Sequence, residues 1–141
     1  MSVFDELGDG VFRRRYESLD LNIGVVIGEE AVLLVDSRAS HRQADQLRAE
    51  LTTLTSLPVG WVVNTHFHWD HTWGNARFPE AALWGHEQCR SEMIDNGEAA
   101  RRQVLERIAQ GAANKLTNAA LDPISGIPEY KVCAVKLMPE A

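Results

Sequence analysis

The spacing of apolar and polar positions predicts a chain that opens in strands and then alternates helix with strand. Val11 to Glu17 and Asn22 to Ile27 read as two short strands separated by Ser18, Leu19 and Asp20. Ala31 to Val35 (AVLLV) is wholly apolar and follows the turn-forming Gly28, Glu29 and Glu30, so it reads as a central strand. Asp36 ends that run. Ser40 and Gln43 stand at capping-box spacing, and Ala44, Leu47, Leu51 and Leu54 recur on one helical face. A helix from Ser40 to about Leu54 follows, closed by Pro58. Val59 to Val63 (VGWVV) reads as the next buried strand, and Ala81 to Trp84 as another between Pro79 and Gly85. Glu87 to Ile94 then reads as a helix, Asn96-Gly97 as a turn, and Glu98 to about Ala120 as a second helix striped by Val104, Leu105, Ile108 and Ala112. Pro123, Gly126 and Pro128 mark a loop, and Tyr130 to Leu137 alternates like a last strand. Strands first and helix–strand alternation afterwards predict an α/β (α+β) fold.

Composition narrows the classes. The chain is expected to be a single domain over residues 1–141, and 45% hydrophobic with 24% charged residues suits a packed core. A net charge of −6 gives no bulk attraction to nucleic acid or to anionic membranes. No apolar run approaches the roughly 20 residues of a bilayer span. The opening, Met1 to Leu7, has no basic region followed by an apolar stretch, so no export signal is expected. Cys89 and Cys133 form no C-x-x-C pair and are expected to be reduced thiols of a cytoplasmic protein. The expected partner is a small-molecule substrate.

One segment stands out chemically. Asn64 to Asn75 contains His66-x-His68-x-Asp70-His71, three of the five histidines and an aspartate within six residues. It follows directly on the apolar strand ending at Val63, the end of a strand where α/β folds place ligands. In extended backbone, residues two apart point the same way, so His66 and His68 can offer two imidazole nitrogens to one cation. If the chain then turns, Asp70 and His71 can face a second. Imidazole and carboxylate donors suit zinc, one or two ions, with iron or manganese accepting the same set. Two such ions could hold a bridging hydroxide and polarise a substrate oxygen.

The sequence resembles the metallo-β-lactamase superfamily of metal-dependent hydrolases over roughly residues 8 to 95. The resemblance rests on His66, His68, Asp70 and His71 with Gly74 after them, on the strand ending in Asp36 (LLVDS), and on Trp84-Gly85-His86. It implies an αββα sandwich with metals at one edge between the sheets. His66 and His68 would bind metal one, Asp70 and His71 metal two, and Asp70 would also orient the attacking hydroxide. The implied reaction is attack of a metal-bound hydroxide on an ester, thioester, lactone, amide or phosphoester. The family's fold is longer and has two similar halves, the second supplying further metal ligands. No His follows His86, and Asp122 is the only Asp after Asp95. The chain is therefore expected to be truncated to the first half and incomplete at its C-terminus. A half sandwich leaves one sheet face uncovered, which invites association into a homo-oligomer. The alternative reading is a non-catalytic, weakly metal-binding or interaction module.

Further residues carry open alternatives. Asp36 either hydrogen-bonds a ligand histidine from behind or caps the turn before Ser40. His86 is a replacement ligand or a hydrogen-bonded structural residue behind the metal ligands. Trp69, Trp73 and Trp84 either wall an apolar pocket or pack beneath the loop. Cys133 is a soft donor or a small buried side chain. Arg13, Arg14 and Arg15 are expected on a solvated or edge face.

Overall fold

Local sequence choices build one mixed sheet. A computed structural model describes residues 2–110 and 135–137 of the chain. Strand β1 (Asp5–Gly8) turns through Asp9 and Gly10 into β2 (Val11–Tyr16). Gly10 sits at φ +70°, the left-handed region that glycine enters without a side-chain clash. Next come β3 (Leu21–Ile27) and β4 (Val32–Val35), and the first four strands pair antiparallel in sequence order. Helix α1 (His41–Leu51) carries the chain back to β5 (Val59–Asn64), which lies parallel to β4. A single helical turn, α2 (Trp69–Thr72), leads toward β6 (Ala82–Gly85). The long helix α3 (Glu87–Ala109) follows, and β7 (Val135–Leu137) closes a seven-stranded sheet in the order β1 to β7. β5, β6 and β7 are all parallel.

The core lies on one face of this sheet. Ile23 and Val25 of β3, Val32 and Leu34 of β4, Val62 of β5 and Leu83 of β6 point inward, and α1 covers them with Ala44, Leu47 and Leu51. Each such buried Val, Leu or Ile side chain contributes roughly 1.5–3 kcal/mol. The opposite face is also apolar. The strand registers align Val11, Val26, Leu33, Trp61 and Ala82 in one row across five strands. Val11, Val26 and Trp61 in that row stay 37%, 38% and 43% exposed. A sheet apolar on both faces is built to be covered on both, which explains why β4 and β5 lack a polar alternation.

The predicted elements from β2 to the start of α3 appear within a residue or two of their expected bounds, with two differences in and around α1 and one within α3. Ser40 caps α1 by accepting from the Gln43 backbone N–H at 3.2 Å, but the Gln43 side chain accepts from Ala39, not from Ser40 itself. The helix stops at Leu51, and Leu54 packs against the core from the following turn. Asn96-Gly97 forms no turn; α3 runs straight through it. Asn96 donates to Glu92 one helical turn back at 2.6 Å, and the roughly 1 kcal/mol cost of Gly97 is small beside a helix this long. The expected loop at Pro123–Pro128, the end of the second helix and residues 130–134, including Cys133, lie outside the described residues.

Candidate metal centre

The site grows out of the C-terminal ends of β4 and β5. The parallel pairing of Val35 with Val63 delivers two loops side by side, residues 36–39 and residues 65–75. Asp36 and Arg38 adopt positive φ values of 67° and 75°, uncommon for residues with side chains. That conformation turns Ser37 against the second loop, where its N–H donates to the His71 carbonyl at 2.9 Å and its hydroxyl proton goes to Asn75 Oδ1. Asn64 adds a second donor to the same carbonyl at 3.3 Å. Asn75 joins Asn64 and Ser37 through bonds of 2.7 and 2.6 Å. The last carbonyls of a four-residue helix have no helical partner, so this buried polar cluster fixes the end of α2. Gly74 completes the fit: its N–H donates to Arg38 at 3.0 Å, and a β-carbon there would overlap the Ser37 carbonyl oxygen.

The four motif side chains meet on this platform. His66 Nε2 lies 3.1 Å from His68 Nδ1, and the His66 and His71 rings lie tilted at 53° with centroids 4.1 Å apart. His71 Nε2 lies 3.4 Å from Asp70 Oδ2. Asp36 is 2% exposed and reaches across to this loop instead of capping its own turn. Its Oδ2 accepts from His71 Nδ1 at 2.7 Å, and its two oxygens accept from the Thr65 N–H and hydroxyl at 2.8 Å each. Burial alone would push the His71 pKa down; the Asp36 hydrogen bond and the charges of Asp36 and Asp70 outweigh it and raise it. His66 is lowered, first by burial and then by the neighbouring His71 and His68.

These donors fit metal ligation in pairs. Two donors about 2.0 Å from a tetrahedral zinc ion stand about 3.3 Å apart. The His66–His68 and Asp70–His71 separations of 3.1 and 3.4 Å match that edge. Among the described residues, however, no three His, Cys, Asp or Glu side chains are arranged to hold one ion. His86 accepts from the Gln88 N–H at the start of α3 and lines a cavity of about 480 Å³ that His66 also lines. Phe67, Cys89 and Glu92 are among the other lining residues, while Trp73 is buried and packs against Trp69 at 5.5 Å. Cys89 is buried and has no disulfide partner among the described residues. The arginine run is paired: Arg13 with Asp5, Arg14 with Glu50, Arg15 with Asp20. Sequence reasoning missed Ser37, Asn64, Thr65 and Asn75 as supports; their only signal was that three of them sit inside the motif segment.

The chain belongs to the metallo-beta-lactamase superfamily, whose family model matches residues 19–110. This is a family of metal-dependent hydrolases that bind metal ions, often zinc. No curated protein matches the chain in sequence. Among solved structures it is similar to a HARLDQ-motif mutant of a metallo-beta-lactamase from Cronobacter sakazakii, at 21% identity and a TM-score of 0.56. That match covers 67% of this chain and 38% of the other. A metallo-beta-lactamase from Erythrobacter litoralis aligns at 24% identity and a TM-score of 0.55, over 67% of this chain and 45% of that one. The sec-alkylsulfatase Pisa1 from Pseudomonas sp. aligns at 17% identity and a TM-score of 0.59, over 71% of this chain and 17% of its own. These likenesses show the fold, and the chain spans less than half the length of each. Among the described residues, no helix is long and apolar enough to cross a membrane.

Proposed function

We propose that this chain carries the metal-ligating, water-activating half of a zinc-dependent hydrolase acting on an ester, thioester, lactone, amide or phosphoester. The observation that carries the reading is the meeting of His66, His68, Asp70 and His71 at the end of β5, with the His71 ring anchored on buried Asp36. His66 and His68 would hold one ion, Asp70 and His71 a second. A bound divalent ion lowers the pKa of a coordinated water and polarises a substrate oxygen. Iron or manganese would accept the same donors. Asp70, half-buried beside His71, would orient the attacking water and hold its proton. Asp36 would back His71 from behind, and His86, across the cavity that His66 also lines, would stand as a further supporting residue. The cavity beside His66 is the place for a small-molecule substrate. The net charge of −6 argues against nucleic acid and anionic membrane surfaces, and two cysteines with no C-x-x-C pair suit a cytoplasmic setting.

A second reading rests on the count of donors. Each pair supplies two ligands, where a catalytic zinc site takes three from protein. On this reading the chain is a weak metal-binding or interaction module, or one completed by a second copy. Hydrolysis of an ester and lactone panel by the wild type and by the His68→Ala, Asp70→Ala double variant separates the two. The hydrolase reading expects turnover in the wild type alone. Equal turnover in both, or none in either, overturns it.

A further inference from the structure

We infer that Thr65 is a positioning residue, whose hydroxyl links Asp36 to His66 and holds the His66 proton on Nδ1, leaving Nε2 bare toward His68. The argument is a proton count. A carboxylate accepts hydrogen bonds and donates none, and a hydroxyl has one proton to give. The Thr65 Oγ1 lies 2.8 Å from Asp36 Oδ2, so its proton goes there. Toward His66 Nδ1, 2.9 Å away, Oγ1 can then only accept. The neutral His66 ring must therefore carry its proton on Nδ1. Its Nε2 lone pair faces His68 Nδ1 at 3.1 Å, and in the metal-free chain that contact is a hydrogen bond only if His68 donates from Nδ1.

The bonds thus run one way, from His68 to His66 to Thr65 to Asp36. A second branch reaches the same Asp36 Oδ2 from His71 Nδ1 at 2.7 Å. One buried carboxylate oxygen sets the tautomer of two histidines, one directly and one through Thr65, and both present a bare Nε2. Fixing the tautomer of a ligand histidine through the hydrogen bond at its other nitrogen is how such supports tune metal affinity. Thr65 itself is exposed, so removing its hydroxyl leaves the core packing alone.

The proton positions stand on geometry alone; their consequence for ion binding rests on the metal reading above. The test compares Thr65→Val with Thr65→Ser in the metal-free protein by ring nitrogen NMR, at a pH above the imidazole range. Wild type and Thr65→Ser are expected to show His66 and His68 protonated on Nδ1. In Thr65→Val the His66–His68 pair should reverse, both rings carrying their proton on Nε2, while His71 stays on Nδ1. Cobalt(II) titration should then show affinity about 10–100-fold weaker in Thr65→Val and restored in Thr65→Ser. A His66 ring still protonated on Nδ1 in Thr65→Val overturns the inference, as does an unchanged cobalt affinity after the pair has reversed. Wild type with the expected tautomers but no cobalt uptake supports the hydrogen-bond relay and overturns the metal reading instead.

Discussion

Substituting Gly74 by alanine tests whether the two loops of the site are locked together by backbone contact. Gly74 has φ −78° and ψ −11°, a conformation open to any residue, so the cost is steric. The new β-carbon would overlap the Ser37 carbonyl oxygen and stand 2.7 Å from the Ser37 carbonyl carbon and 2.9 Å from the Ala44 β-carbon. Carbon atoms rest about 3.5–4.0 Å apart and the overlap with the oxygen is tighter still, so the loops must part by more than about 1 Å. Three bonds span that gap: Gly74 N–H to Arg38 O at 3.0 Å, Ser37 N–H to His71 O at 2.9 Å, and Ser37 Oγ to Asn75 Oδ1 at 2.6 Å. Stretching three buried bonds at about 1 kcal/mol each gives a loss of about 3 kcal/mol. For a domain of this size that lowers the Tm by roughly 10 °C. Differential scanning calorimetry on Gly74→Ala measures it. Gly8→Ala is the control, because a β-carbon at Gly8 meets nothing within 4 Å. A Gly74→Ala melting curve indistinguishable from the control would refute the locked-loop account.

Other consequences follow from the same packing and charge arguments. Leu47 is fully buried between α1 and the sheet, so Leu47→Ala should cost about 2–5 kcal/mol in urea unfolding; a loss below 1 kcal/mol would mean that the helix does not seal the core. Glu50 accepts from Arg14, Tyr16 and Gln46, and despite its burial these bonds hold its pKa below the usual 4.5. A depressed carboxyl stabilises the fold above its unfolded pKa, and that contribution fades as pH falls through the folded value. The urea midpoint of the wild type should therefore drop below about pH 4.5 more steeply than that of Glu50→Gln; parallel curves would contradict the pairing.

Much of this fold was legible because the signals were local. AVLLV and VGWVV name buried strands by composition alone, and Ser40 names a helix start by its spacing to Gln43. The motif His66-x-His68-x-Asp70-His71 was legible for the same reason, since the donors sit at short fixed spacing on one loop. What stayed hidden was long-range. Nothing in the sequence near Asp36 says that its partners are Thr65 and His71, about thirty residues on. Its alternative as a local cap was equally reasonable until β4 and β5 paired. The clamp of Ser37 and Asn64 on the His71 carbonyl, braced by Asn75, is invisible for the same reason. The misread turn at Asn96-Gly97 has another cause: two turn-favouring residues were outweighed by the helix around them.

The central claim is that His66, His68, Asp70 and His71 bind metal. Elemental analysis of the purified chain after exhaustive dialysis tests it most directly. The account predicts one or two zinc ions retained per wild-type chain and none in the His68→Ala, Asp70→Ala double variant. A wild type that retains no metal, or a double variant that retains as much as the wild type, would contradict it.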